Sequence, residues 1–335
     1  MTQQQSGSTI YNSKLTIYET EQSIQLIKEN FNLLLSNNLN LQRVSAPLYV
    51  KKNTGLNDRL NYVESPVTFR VKSGEECEIV HSLAKWKRYA LGKYKFEEYA
   101  GLYTDMNALR ICEDLSPLHS YYVDQWDWEI VINKKDRNLE FLKKTVNKIY
   151  ESLKKLEKII NKKYQKFSQK LPENIFFITT QELEDLHPTL SPKEREHAFG
   201  KEKKAFFLIG VGGKLKSGNA HDGRAPDYDD WSLNGDIIVY SDVLGISVEL
   251  SSMGIRVCED TLIKQLEIAN KIDNLKLEFH QKLINKELPY TIGGGIGQSR
   301  LCMFLTEKKH IGEVQVSVWP EELIKEAEDQ NIFFL

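Results

Sequence analysis

Gly293-Gly294-Gly295-Ile296-Gly297-Gln298-Ser299-Arg300-Leu301 is the stretch on which the reading of this chain turns. Glycines let a strand bend and let another group come close to its backbone. The apolar run Leu301-Cys302-Met303-Phe304-Leu305 then reads as a helix, with Arg300 at its start. An arginine there offers a planar fork of donors to a phosphate, or a flat cation to stack on a purine. A dinucleotide-binding fold is excluded, because the glycine spacing is wrong and too little chain follows for a second βαβ unit. No Gly-x-x-x-x-Gly-Lys-Ser/Thr run and no protein-kinase signature set is present either, so any nucleotide must be held by another kind of site.

Upstream, residues 235–240 and 246–251 read as a hairpin. With its turn at Asp242-Val243, residue 240 pairs with 245 and Asp236 lies directly opposite Glu249. Opposed like charges destabilise a hairpin. They become an asset if a hard cation bridges them, and Mg²⁺ takes one or two carboxylates plus phosphate oxygens. The alternative is two acids that face solvent.

Arg110 precedes a polar loop and the strand 120–131. Gln125, Asp127 and Glu129 share one face of that strand, while Trp126 and Trp128 take the other. Three polar groups on one face suit the wall of a polar pocket, or else a solvated sheet face. Lys85, Lys87 and Arg88 follow His81-Ser82 on a short helix that Ser82 is placed to cap. One of these cations can pair with a substrate carboxylate, although such clusters commonly sit on a surface. The run Arg224-Ala225-Pro226-Asp227-Tyr228-Asp229-Asp230-Trp231 is dense in charge but fixes no reaction, and its ion pairs are each worth little.

The remaining elements fall around these. Residues 1–13 read as a flexible tail. Apolar spacings of three and four predict a helix over 15–36, ended by Asn37-Asn38, and a strand follows over 41–50 with Pro47 marking an edge. Residues 68–71 and 78–80 form a hairpin about Ser73-Gly74. A long helix spans 134–170, with a leucine/isoleucine stripe inward and lysines on the solvated face. Strands at 175–179 and 205–211 flank a charged helix at 192–204, and helices near 260–272 and 275–286 precede the last strand. Strands arrive mostly in hairpin-compatible pairs, which predicts an α+β fold with a mainly antiparallel sheet flanked by helices. No linker divides 14–335, so a single domain is expected.

Composition narrows the function. The 335 residues carry a formal charge of −2 with 41% hydrophobic and 27% charged residues, so a dedicated nucleic-acid or membrane role gets no support. The four cysteines are widely separated, without metal-ligand spacing. That fits reduced thiols in the cytoplasm. The second residue is Thr2, which speaks against a glutaminase with an N-terminal cysteine nucleophile.

Several strings together identify the resemblance: 81–88, 116–120, 123–129, 224–231, 249–256 and 291–301. They are similar to the ammonia-dependent asparagine synthetases (aspartate–ammonia ligases), a family built on the catalytic core of class II aminoacyl-tRNA synthetases. The likeness runs from about Leu15 to the C-terminus. It implies a class II synthetase-like antiparallel sheet, a homodimer built around the first helix and strand, and a two-step reaction. ATP adenylates the side-chain carboxylate of L-aspartate, and ammonia displaces AMP. By the same resemblance, Arg110, Asp229, Asp236, Glu249, Gly295 and Arg300 bind ATP, with Asp236 and Glu249 holding Mg²⁺. Ser82, Lys87, Gln125, Asp127 and Ser252 bind aspartate. Asp58, Lys87, Arg110, Asp127 and Arg300 carry the chemistry, with Asp58 and Asp127 serving the amino group or the incoming ammonia.

Two other readings stand beside this one. An aspartyl- or asparaginyl-tRNA synthetase usually carries an OB-fold, and the 40 residues before the first strand are too few for one. A catalytically dead paralogue would be expected to have lost Arg110, Arg300, Asp236 or Glu249, and all four are present.

Overall fold

The computed structural model describes residues 11–60 and 65–335. The chain begins with α1 (Ile17–Leu39), β1 (Leu41–Arg43), β2 (Tyr49–Lys51), β3 (Thr68–Arg70), β4 (Glu76–Ile79), α2 (Ala84–Lys93), β5 (Gly101–Leu109) and β6 (Tyr122–Val131). The middle adds α3 (Leu139–Lys163), β7 (Phe176–Thr179), α4 (Thr180–Leu186), α5 (Pro192–Lys203) and β8 (Ala205–Ile209). The last part comprises β9 (Asp229–Ser241), β10 (Ile246–Arg256), α6 (Glu259–Ile268), α7 (Glu278–Ile284), β11 (Thr291–Gly297), α8 (Gln298–Leu305) and α9 (Glu321–Asp329).

Eight strands form one sheet in the order β1-β5-β6-β11-β10-β9-β8-β7, and β2-β4-β3 form a small second sheet. Every pairing in the large sheet is antiparallel except at its two edges, where β1 joins β5 and β7 joins β8 in parallel. The α+β expectation therefore holds.

Alternation along the strands divides the sheet into two faces. Trp126 and Trp128 are fully buried in the main core with α1 and α3, and the Trp126 ring lies 4.6 Å from that of Phe31. The opposite face of β5 and β6 carries Leu102, Met106, Ala108 and Val131 against α2, and it carries the site.

Local chemistry sets the helix ends. Thr16 and Glu19 make a reciprocal capping box at the start of α1. That helix continues past Asn37-Asn38 because Leu39 is buried, and it stops at Asn40 in the left-handed conformation. α3 ends at Lys163, seven residues short of the expectation. Beyond it the chain folds back, and the Glu157 carboxylate accepts the Lys170 backbone N–H at 2.7 Å.

Other expectations are corrected. The strand expected over 41–50 is two strands in two sheets, separated by the Pro47 segment. Helices α4 and α9 were not anticipated. The expected tail lies outside the described residues up to residue 10, but the Tyr11 hydroxyl donates to Glu313 at 3.1 Å. The β9–β10 turn is four residues rather than two. Leu244 packs on the core and Gly245 closes the turn at φ 71°. The register moves accordingly, so Tyr240 pairs with Ser247, Glu249 lies opposite Ile238, and Asp236 lies opposite Ser252.

Candidate active site

A cleft of about 460 Å³ opens on the polar face of the sheet. Its floor is the glycine run. Gly293, Gly295 and Gly297 pair with Glu129, Asp127 and Gln125. A Cβ on Gly293 would stand 1.8 Å from the Glu129 carboxylate, and one on Gly295 would stand 2.4 Å from the Gln125 amide oxygen. The glycines are thus required so that the side chains of β6 can lie flat across β11.

Over that floor α2 delivers Lys87, which is fully buried. Its ammonium is bonded to the Asp127 carboxylate and donates to the Gly294 carbonyl at 2.9 Å. Glu129 accepts from Arg256 at 2.7 Å and from the Thr291 hydroxyl at 2.7 Å. Burial alone would raise the pKa of Glu129, yet the Arg256 guanidinium and Lys87 hold it below the ordinary carboxylate range. Arg256 also reaches Asp229 at 2.5 Å.

Arg224 enters from the segment before β9. It donates to Asp236 at 2.6 Å and to the Ser252 hydroxyl. Asp236 is pushed up to about 7, first by burial and then by the nearby Glu249 charge, with Arg224 opposing both. A β-bulge between Glu249 and Ser251 turns Glu249 and Ser252 to the same face, which strict alternation would forbid.

The cleft brings together most of the residues expected from sequence. Ser82, Lys87, Arg110, Gln125, Asp127, Asp229, Glu249, Ser252, Gly295 and Arg300 all line it. Arg110 stands on one side, its guanidinium 3.4 Å from the His81 carbonyl. Arg300 lines the same cleft, donating to the Glu249 carbonyl at 3.1 Å and to the Leu118 carbonyl at 3.4 Å.

Two expected residues stand behind the wall. Asp236 is covered by Arg224, and the direct opposition of Asp236 and Glu249 is corrected by the register. Asp58 is fully buried behind Ser82, whose hydroxyl bonds to it, and it accepts the Ala84 N–H at 2.8 Å. Asp58, rather than Ser82, therefore serves the N-terminus of α2, whose flanking residue Leu83 is instead bonded to Asp127. The cations of α2 are buried, not superficial: Lys85 and Arg88 are 2% and 3% exposed. Sequence reasoning undervalued Arg224 and Arg256. Their signal was the density of acids at 227–230, which leaves any cation nearby several partners.

The strand order, the glycine floor and the two arginines lining the cleft define a class II aminoacyl-tRNA synthetase fold. Asparaginyl-tRNA synthetase from Pyrococcus horikoshii complexed with asparaginyl-adenylate superposes with a TM-score of 0.66 at 14% identity, over 90% of this chain and 70% of that one. The Entamoeba histolytica asparaginyl-tRNA synthetase gives 0.64 at 14% identity, over 89% and 67%.

Sequence likeness is more specific. The aspartate–ammonia ligase family profile matches residues 18–331. The aspartate–ammonia ligase of Fusobacterium nucleatum is 59% identical over 325 residues, covering 97% of this chain and 99% of that protein. That of Ruminiclostridium cellulolyticum is 57% identical over 327 residues, covering 97% of each. The chain belongs to the aspartate–ammonia ligase family.

Proposed function

We propose that this chain joins ammonia to free L-aspartate to make L-asparagine, using ATP and passing through a β-aspartyl adenylate with release of pyrophosphate and then AMP. The observation that carries this reading is the convergence of Arg110 and Arg300 on one cleft whose floor presents Lys87, Asp127 and Gln125, in a chain of this family. A carboxylate is a poor electrophile until its oxygen becomes a good leaving group. The site must neutralise phosphate charge, orient aspartate and exclude water from the adenylate.

Each side chain has a part suited to its chemistry. Arg110 contacts the α-phosphate, and Arg300 the outer phosphates or the base. Gly295 lets the nucleotide approach the strand, and Asp229 anchors the nucleotide side through Arg256. Lys87, Gln125, Ser82 and Ser252 hold aspartate, and Asp127 holds its amino group. Asp58, behind Ser82, receives the incoming ammonia.

Mg²⁺ fits beside Glu249, which faces the cleft, and Asp236 behind it. Burial chiefly raises Asp236 above the ordinary carboxylate range and the Glu249 charge adds to it, a repulsion that a cation would relieve. Bound there, the ion would neutralise phosphate oxygens. Residues 14–335 act as one catalytic unit, working in the cytoplasm without nucleic acid or membrane. Among the described residues no helix is long and apolar enough to cross a membrane.

The chain works as a homodimer through the outer face of α1 and the segment after it. Tyr18, Leu33 and Leu48 are exposed there at 73%, 64% and 53%, apolar side chains that a second copy would cover.

Incubation with ATP, aspartate and ammonium tests the whole. AMP, pyrophosphate and asparagine should form in equal amounts. Asparagine made equally well from glutamine in ammonia-free buffer would overturn the reading.

A further inference from the structure

A second cavity, of about 320 Å³, lies on the far side of the wall that carries Asp58. Successive residues open on opposite spaces: Lys85 and Asp227 line this cavity, while their chain neighbours Ala84 and Tyr228 line the cleft. The wall is thus one residue thick. Asp58 is buried between the two spaces, with one carboxylate oxygen bonded to Ser82, which lines the cleft, and the other 3.9 Å from the ammonium of Lys85, which lines the cavity. That second oxygen accepts no hydrogen bond among the described residues, although Asp58 is fully buried. A buried carboxylate oxygen left in this state points to a small donor that visits it.

We propose that this cavity is a separate inlet for the nitrogen substrate, through which ammonia reaches the β-aspartyl carbon by way of Asp58 while ATP and aspartate occupy the cleft. The inference rests on the function proposed above and adds the route of its third substrate.

The chemistry of the cavity suits a neutral amine. Arg59 is paired with Glu78 at 2.8 Å, and Lys85 with Asp227 at 2.9 Å. Lys51 adds further positive charge at the lining. Nearby cations disfavour a protonated guest, so ammonium sheds one proton to bulk water at the mouth and NH₃ continues. At the adenylate, the nitrogen lone pair forms the C–N bond. The C–O bond to AMP breaks with its electron pair on AMP, and the extra proton on nitrogen passes to the Asp58 carboxylate. Burial, opposed by Lys85 and Ser82, raises Asp58 to about 6, high enough to take that proton.

Plugging the cavity separates the two substrate routes. Thr54→Trp and Asn274→Trp each place an indole in the inlet, at positions that take no part in the cleft. In both variants the ammonium KM should rise roughly tenfold. Aspartate-dependent ATP–pyrophosphate exchange, and the KM values for ATP and aspartate, should stay as in the parent. An unchanged ammonium KM in variants with intact exchange overturns the inlet. Loss of exchange in both variants overturns it as well, since the cavity would then serve the first step. Absence of asparagine synthesis in the parent enzyme would instead defeat the underlying reaction.

Discussion

Arg110 is where the electrostatics of the cleft are most exposed to test. Its replacement by alanine should abolish aspartate-dependent ATP–pyrophosphate exchange, because a cation placed where charge develops contributes several kcal/mol to the barrier; unchanged exchange would remove it from the site. Gly293 tests the floor. Gly293→Ala drives a methyl group into the Glu129 carboxylate and within 2.7 Å of Arg256. It should cost about 1–3 kcal/mol in urea unfolding. Gly213→Ala, which meets nothing within 4 Å, should stay within about 0.5 kcal/mol. Asp236 supplies a pH signature. With its acidity suppressed to about 7, it is protonated below that pH and charged above it. The Mg²⁺ concentration for half-maximal activity should therefore rise as the pH falls from about 8 to about 6, and Asp236→Asn should flatten the trend.

At the scale of elements, α3 shows how a charged sequence still makes a core helix. Leu142, Val146, Ile149, Leu153, Leu156 and Ile160 form a continuous buried stripe against α1 and the sheet, while Lys144, Lys148, Lys155, Lys158, Lys162 and Lys163 remain in solvent. Leu153→Ala should cost about 2–5 kcal/mol, and Lys158→Gln on the outer face should change stability by less than about 0.5 kcal/mol. Chemical unfolding of the pair checks both. Comparable losses would mean that the outer face is covered. The α3 stripe was legible because its period repeats over many turns. The β9–β10 register was not, because the shift depends on one turn closing over Leu244 and Gly245 and on a bulge at 250. Two residues from the turn and one from the bulge moved the partner of Asp236 from Glu249 to Ser252.

For the molecule as a whole, buried ionisable groups pull the pH dependence of stability in opposite directions. Asp58 and Asp236 sit above the ordinary carboxylate range, at about 6 and about 7. The folded chain keeps protons that the unfolded chain has released, so their contribution falls as the pH rises through that window. His81 and His119 are held down at about 4, chiefly by burial and then by Arg110 and Arg300 respectively. Their contribution is lost as the pH falls below about 6.5. Asp58→Asn removes one falling component. Its stability relative to the parent should therefore improve by about 2 kcal/mol between about pH 4.5 and about pH 7.5. Urea titrations at the two ends measure this, and a pH-independent difference would place the Asp58 carboxyl in water.

The sequence by itself determined the class of fold, the glycine floor, the polar face of β6 and the two arginines. Each of these is written in short-range periodicity or in a residue type whose geometry admits few substitutes. Only the tertiary structure decided that Lys85 and Arg88 are buried rather than superficial, that Arg224 covers Asp236, and that Asp58 is buried between Ser82 and Lys85. Those outcomes depend on which distant acid reaches which cation: Lys85 meets Asp227 across 142 positions, and Arg256 meets Glu129 across 127. No local pattern encodes such pairings, because a charge declares its partner only once the sheet has brought the two strands together.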